Sequence, residues 1–267
     1  MTRAAVGRPP LRLLLLAFVA VLFLLVPLVG LVLRSPWQDL PSLLSDPVAL
    51  DALRISLLTS AAAMLLCLVF GLPLAWLLSR VEFRGRALLR ALVTVPLVLP
   101  PVVAGVALLA ALGRNGVVGA PLHDWFGTTV PFTTLAVVLA HTFVAMPFFV
   151  ISVEGSLRAG GQQYDVVAAV LGASRWRTFT RVTVPMALPG IAAGMVLGFA
   201  RSLGEFGATI TFAGNYPGTT LTMPLLTYVE LNRDPETAYA LSLIMLVVCL
   251  VILALLRERW IGAGVRA

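Results

Sequence analysis

Leu13-Leu14-Leu15-Leu16-Ala17-Phe18-Val19-Ala20-Val21-Leu22-Phe23-Leu24-Leu25-Val26-Pro27-Leu28-Val29-Gly30-Leu31-Val32-Leu33 carries no charged side chain. A helix rises about 1.5 Å per residue, so such a run crosses a hydrocarbon core of about 30 Å. Five further windows have the same character: residues 55–78, 91–112, 132–152, 187–209 and 238–256. Inside lipid each backbone polar group must be bonded within its own segment, which selects helices. A β-barrel would show short alternating segments, and these runs are continuous. The expectation is an all-α polytopic membrane protein with six transmembrane helices in one transmembrane domain, residues 1–267. Composition agrees. The chain is 60% hydrophobic and 12% charged, whereas soluble domains run at about 45–50% apolar and about 25% charged.

Arginines orient the spans. All 19 basic residues are arginine. Arg3, Arg8 and Arg12 precede the first span; Arg80, Arg84, Arg86 and Arg90 follow the second; Arg158, Arg175, Arg177 and Arg181 follow the fourth; Arg257, Arg259 and Arg266 follow the sixth. The opposite side holds Arg34, Arg54, Arg114 and Arg233, and Arg201 falls within the fifth span. Cytoplasmic loops carry the excess of positive charge. Both termini are therefore expected in the cytoplasm, and a nucleic-acid partner is not. The first window is expected to be a retained span, because its apolar run is too long for a signal peptide and Leu33-Arg34-Ser35-Pro36 lacks a cleavage site. Cys67 and Cys249 lie inside apolar runs and read as small buried residues.

Absences exclude several chemistries. Without lysine the chain has no phosphate-gripping P-loop and no Schiff-base nucleophile. Its two histidines, His123 and His141, cannot build a histidine-rich metal site. No cofactor, metal or catalytic residue is expected, and uphill transport driven by ATP would need a separate ATPase. No internal repeat relates the halves, because the long loop at residues 153–186 has no counterpart.

That loop holds a short apolar helix after Gly160-Gly161, interrupted at Gly172. A helix of this kind must bury its face against lipid headgroups or a partner's groove. Ala168-Ala169-Val170-Leu171-Gly172-Ala173-Ser174-Arg175-Trp176-Arg177-Thr178-Phe179, followed by Val182-Thr183-Val184-Pro185, resembles the EAA loop of ABC-importer permeases. Val166 and Val167 stand where that motif has Glu and Ala, with Asp165 one place earlier. The resemblance implies a type I importer permease fold. It also implies a coupling helix, here Asp165, Ala168, Ala169, Gly172, Ala173, Ser174, Arg175 and Trp176, docked in a cleft of a cytoplasmic ATPase. Gly204-Glu205-Phe206-Gly207-Ala208-Thr209 and Phe212-Ala213-Gly214-Asn215-Tyr216-Pro217-Gly218-Thr219-Thr220-Leu221-Thr222-Met223-Pro224-Leu225 look like the molybdate branch, with the sulfate and thiosulfate permeases close by. The implied assembly is a permease homodimer with two ATP-binding subunits and an extracytoplasmic oxyanion-binding protein, in the inner membrane of a bacterial or archaeal cell.

The translocation path is expected to draw on hydroxyls, because a dianion that must leave again needs donors without a tight trap. Thr59, Ser60, Thr209 and Thr211 are the candidates, the last two where symmetry-related copies would meet as a gate. Back-bonding to a helix carbonyl is the alternative role for each. Arg201 and Glu205, four apart on the fifth span, read either as a pair lining the path or as a structural ion pair. Pro96, Pro100 and Pro101 are expected to kink the third span. The rivals from other classes are an ion-coupled secondary transporter, which needs more ionisable groups in its spans, and an intramembrane enzyme, which needs a nucleophile–base or metal constellation.

Overall fold

The computed structural model describes residues 11–264, so Arg3, Arg8 and Arg266 lie outside the described residues. In chain order the helices are α1 (Leu11–Arg34), α2 (Leu40–Leu43), α3 (Pro47–Leu66), α4 (Leu72–Arg80), α5 (Arg86–Val98), α6 (Pro101–Leu112), α7 (Gly119–Phe126), α8 (Thr134–Ala159), α9 (Gln163–Val170), α10 (Arg175–Thr178), α11 (Val184–Leu203), α12 (Gly207–Phe212), α13 (Met223–Leu231) and α14 (Pro235–Gly264). Two π-helical stretches, Cys67–Gly71 and Phe179–Thr183, splice α3 to α4 and α10 to α11. Among the described residues, five continuous runs are long and apolar enough to cross a membrane: Leu11–Arg34, Pro47–Arg80, Thr134–Ala159, Arg175–Leu203 and Pro235–Ile252.

The third expected span differs. It is not one kinked helix but a pair, α5 and α6, bent by 120°. A residue before proline is driven out of the α region, and the tandem Pro100-Pro101 makes two successive residues pre-proline. Leu99 and Pro100 accordingly take extended ψ angles of 132° and 135°. The fifth span also departs from expectation. It stops at Leu203, and Gly204-Glu205-Phe206 leads into the separate short helix α12.

α8 is the centre of the bundle, packed by α3, α4, α5, α11 and α12. Without a hydrophobic force between helices in lipid, close approach of small residues supplies the contact. A Cβ added at Gly190 on α11 would collide with Ser156 of α8, and Ser152 donates to the Gly190 carbonyl at 3.0 Å. The same logic joins α12 to α6. A Cβ at Gly207 would stand 2.6 Å from Pro101, and one at Gly105 would stand 2.7 Å from Thr211. The broken third span is thus held at two different places: α5 against α8, and α6 against α12. α1 has no buried residue and packs beside α14. Its exposed leucines and valines suit a lipid face. Asp234 starts α14, accepting from Glu236 N at 3.2 Å and the Thr237 hydroxyl at 2.6 Å. The Thr237 bond holds its carboxyl below the usual carboxylate range.

Candidate functional site

One cluster gathers at the arginine-rich end. α9 ends in a reversed turn, with Ala173 N donating to Ala168 O at 2.9 Å and Gly172 at φ 79°. This left-handed conformation is open to glycine and strained for most other residues. The Ser174 hydroxyl then caps α10, accepting from Arg177 N at 3.3 Å. Trp176 stacks on Phe179 at 5.7 Å, and Phe179 meets Trp76 of α4 edge-on at 5.8 Å. The outward side carries Val166, Val167, Val170, Leu171, Arg175 and Trp176, with Val170 and Leu171 each 81% exposed. Ala169, Gly172 and Ser174 are also exposed, while Asp165, Ala168 and Ala173 are half-buried. A groove of about 560 Å³ runs behind this element, lined by Trp76, Arg80 and Asp165 among others.

A second cluster lies within the bundle. Thr59 Oγ1 donates to Ile55 O at 2.7 Å, as back-bonding predicts. It also stands 3.3 Å from His141 Nδ1, with Ser60 Oγ at 3.5 Å. Ser56 Oγ, one turn away on α3, accepts from Met223 N at 2.8 Å and so anchors the start of α13. Arg201 and Glu205 meet at 2.6 Å, with the carboxylate 1% and the arginine 30% exposed. Glu205 Oε1 also accepts from Ala208 N at 2.8 Å. The carboxylate therefore closes the gap between α11 and α12 from both sides and complements the positive end of α12. Thr211 donates to Gly207 O at 2.8 Å. Thr209 is wholly buried within the protomer, so it does not present its hydroxyl to a second copy at the protomer surface as the sequence led us to expect. α12 packs on both α6 and α8. Three buried atoms here lack a hydrogen-bond partner: His141 Nε2, Thr209 Oγ1 and Thr222 Oγ1. No cluster of three or more His, Cys, Asp or Glu side chains suited to a metal forms among the described residues.

The pattern of binding-protein-dependent transport system inner membrane components matches residues 68–261. The chain belongs to that family. Over 251 residues this permease is 47% identical to the molybdenum transport system permease protein ModB of Mycobacterium tuberculosis, covering 94% of the chain and 95% of the relative. Over 236 residues it is 38% identical to the sulfate transport system permease protein CysT of Escherichia coli, covering 87% and 85%. Its fold resembles the membrane component in a crystal structure of a bacterial alginate ABC transporter in complex with an alginate pentasaccharide-bound periplasmic protein. That match has a TM-score of 0.74 at 20% identity and covers 93% and 92% of the two chains.

In this permease the candidates from sequence separate into groups. Residues 165–176 form one continuous surface element, Arg201 pairs with Glu205, and Thr59 and Ser60 converge on His141. Thr211 is taken up by the α6–α12 contact. The candidate residues from sequence did not include Val170 and Leu171, although the apolar face of this loop helix was expected to need a partner. Sequence reading also missed a clamp at the arginine-rich end. Glu154 of α8 binds Arg90 at 2.7 Å and Arg158 at 2.8 Å, and Arg86 donates to the Leu78 carbonyl at 2.6 Å and 2.9 Å. The only signal for it was an acidic residue among arginines.

Proposed function

We propose that this permease is the membrane subunit of an ATP-driven molybdate importer. It would work as a homodimer with two cytoplasmic ATP-binding subunits, fed by an extracytoplasmic oxyanion-binding protein. The observation that carries the substrate is the likeness to the molybdenum permease, 47% against 38% for the sulfate permease. The exposed apolar face of α9 supports docking to a partner, because a row of valine and leucine is poorly served by water. In this reading the binding protein delivers the anion and ATP binding draws the paired α9–α10 elements together. The membrane helices then rock between two arrangements, with the buried hydroxyl and Arg201–Glu205 layer beside the path. Hydrolysis resets the transporter. This subunit performs no covalent chemistry.

The deciding experiment is uptake by vesicles holding the assembled transporter. Labelled molybdate should enter with ATP, and excess unlabelled sulfate should compete weakly. Sulfate entry matching that of molybdate would transfer the assignment to the sulfate branch.

The arginine distribution supports a cytoplasmic side for the termini and for residues 84–86 and 174–177. Single cysteines at Arg84 and Arg177, both exposed, should react with a membrane-impermeant maleimide only in inside-out vesicles. Labelling of either in right-side-out vesicles would reverse the orientation.

A further inference from the structure

Asp165 belongs to α9 but points away from its exposed side. Its Oδ2 lies 3.0 Å from Nε of Arg80, the last residue of α4. Its Oδ1 accepts the Thr183 hydroxyl at 2.8 Å, in the π-helical stretch that feeds α11. The Arg80 side chain is 8% exposed and that of Asp165 22%. Arg80 Nε has no aligned acceptor, so the contact is a close ion pair rather than a linear hydrogen bond. Val166, Val167, Val170 and Leu171 all remain exposed. One carboxylate therefore ties the loop helix to two membrane helices, while its apolar neighbours are left free for a partner. Exposed ion pairs contribute little. A pair withdrawn from water behaves differently, because losing one member strands the other charge.

We propose that Asp165 is a positioning residue that passes displacement of α9 to α4 and α11, rather than a contact to the ATPase. This rests on reading α9–α10 as the coupling element. The mechanical requirement is simple: a helix pushed by a partner moves the bundle only if it is fastened to it. The Arg80–Asp165–Thr183 contacts supply a fastening to both helices at once.

The test uses the full transporter in nanodiscs, with the ATPase response to molybdate-loaded binding protein as readout. Asp165→Lys and Arg80→Glu should each lower that response by about tenfold, within the range of coupling energies between sites. Combining them restores an ion pair with its polarity reversed and should recover a severalfold larger response than either alone. Absence of recovery would overturn the proposal, since a residue touching the ATPase gains nothing from a change at Arg80. If a single variant fails to assemble, Asp165→Asn keeps an oxygen for Thr183 and removes only the charge. It should lose most of the response, and an unaltered response would also overturn the proposal. A separate arm tests the underlying reading. Cysteines at Val170 and Leu171 should cross-link to the ATPase subunit. Without cross-links both the coupling reading and this inference fall; with cross-links and no recovery only the inference does.

Discussion

Glu205→Ala is expected to abolish molybdate uptake and to cut the yield of folded permease severalfold. The carboxylate is 1% exposed and serves both Arg201 at 2.6 Å and Ala208 N at 2.8 Å. Truncating one member of a buried pair costs about 3–5 kcal/mol. Arg201 remains 30% exposed, so the lower end applies. The start of α12 loses its acceptor at the same time, and α12 is tightly packed on α6. Glu205→Gln should be milder, because an amide oxygen can still accept from Ala208 N. Size-exclusion profiles in detergent and vesicle uptake would measure the two effects. Full uptake by Glu205→Ala would show that neither the pair nor the cap matters to transport.

Gly172→Pro should eliminate uptake while the protein still inserts. The φ of 79° at Gly172 lies far from the value of about −65° fixed by proline. A Cβ at this position would meet nothing within 4 Å, so the defect is one of backbone path rather than crowding. Two companion variants separate these causes. Gly172→Ala should cost about 1–2 kcal/mol locally and lower uptake partially. Gly172→Asn, whose side chain tolerates the left-handed region, should retain most of it. Normal uptake by Gly172→Pro would remove α9–α10 from energy coupling.

Much of this was readable because lipid is a demanding solvent. The run at residues 13–33 could be little else than a span, and the short apolar helix expected between Gly161 and Gly172 is α9, Gln163–Val170. What escaped depended on geometry that hydropathy does not encode. Pro100-Pro101 announced a disturbance, yet the difference between a kink and a 120° bend lies in two consecutive extended residues. Residues 187–209 are apolar throughout their middle, so nothing marked Leu203 as a helix end except Gly204. Asp165 appeared among residues suited to a partner, and only the position of Arg80 revealed its inward direction. Thr209 was legible as a hydroxyl but not as a buried one, and the contact of Thr211 with Gly105 joins residues that are distant in sequence.

The π-helical stretch at Cys67–Gly71 has a consequence for how this sequence tolerates changes in length. Such a stretch accommodates one residue more than regular helix would, and each residue of an α-helix turns by about 100°. Deleting a single residue there would leave composition and hydropathy almost untouched, and the segment would still cross the bilayer. It would convert the wide turn to regular helix, leaving α4 in phase with α3, so that Arg80 still meets Asp165 and Trp76 still meets Phe179. The wide turn thus holds one residue of slack between the two ends of one span, and a one-codon deletion there should be better tolerated than one in the regular helix on either side.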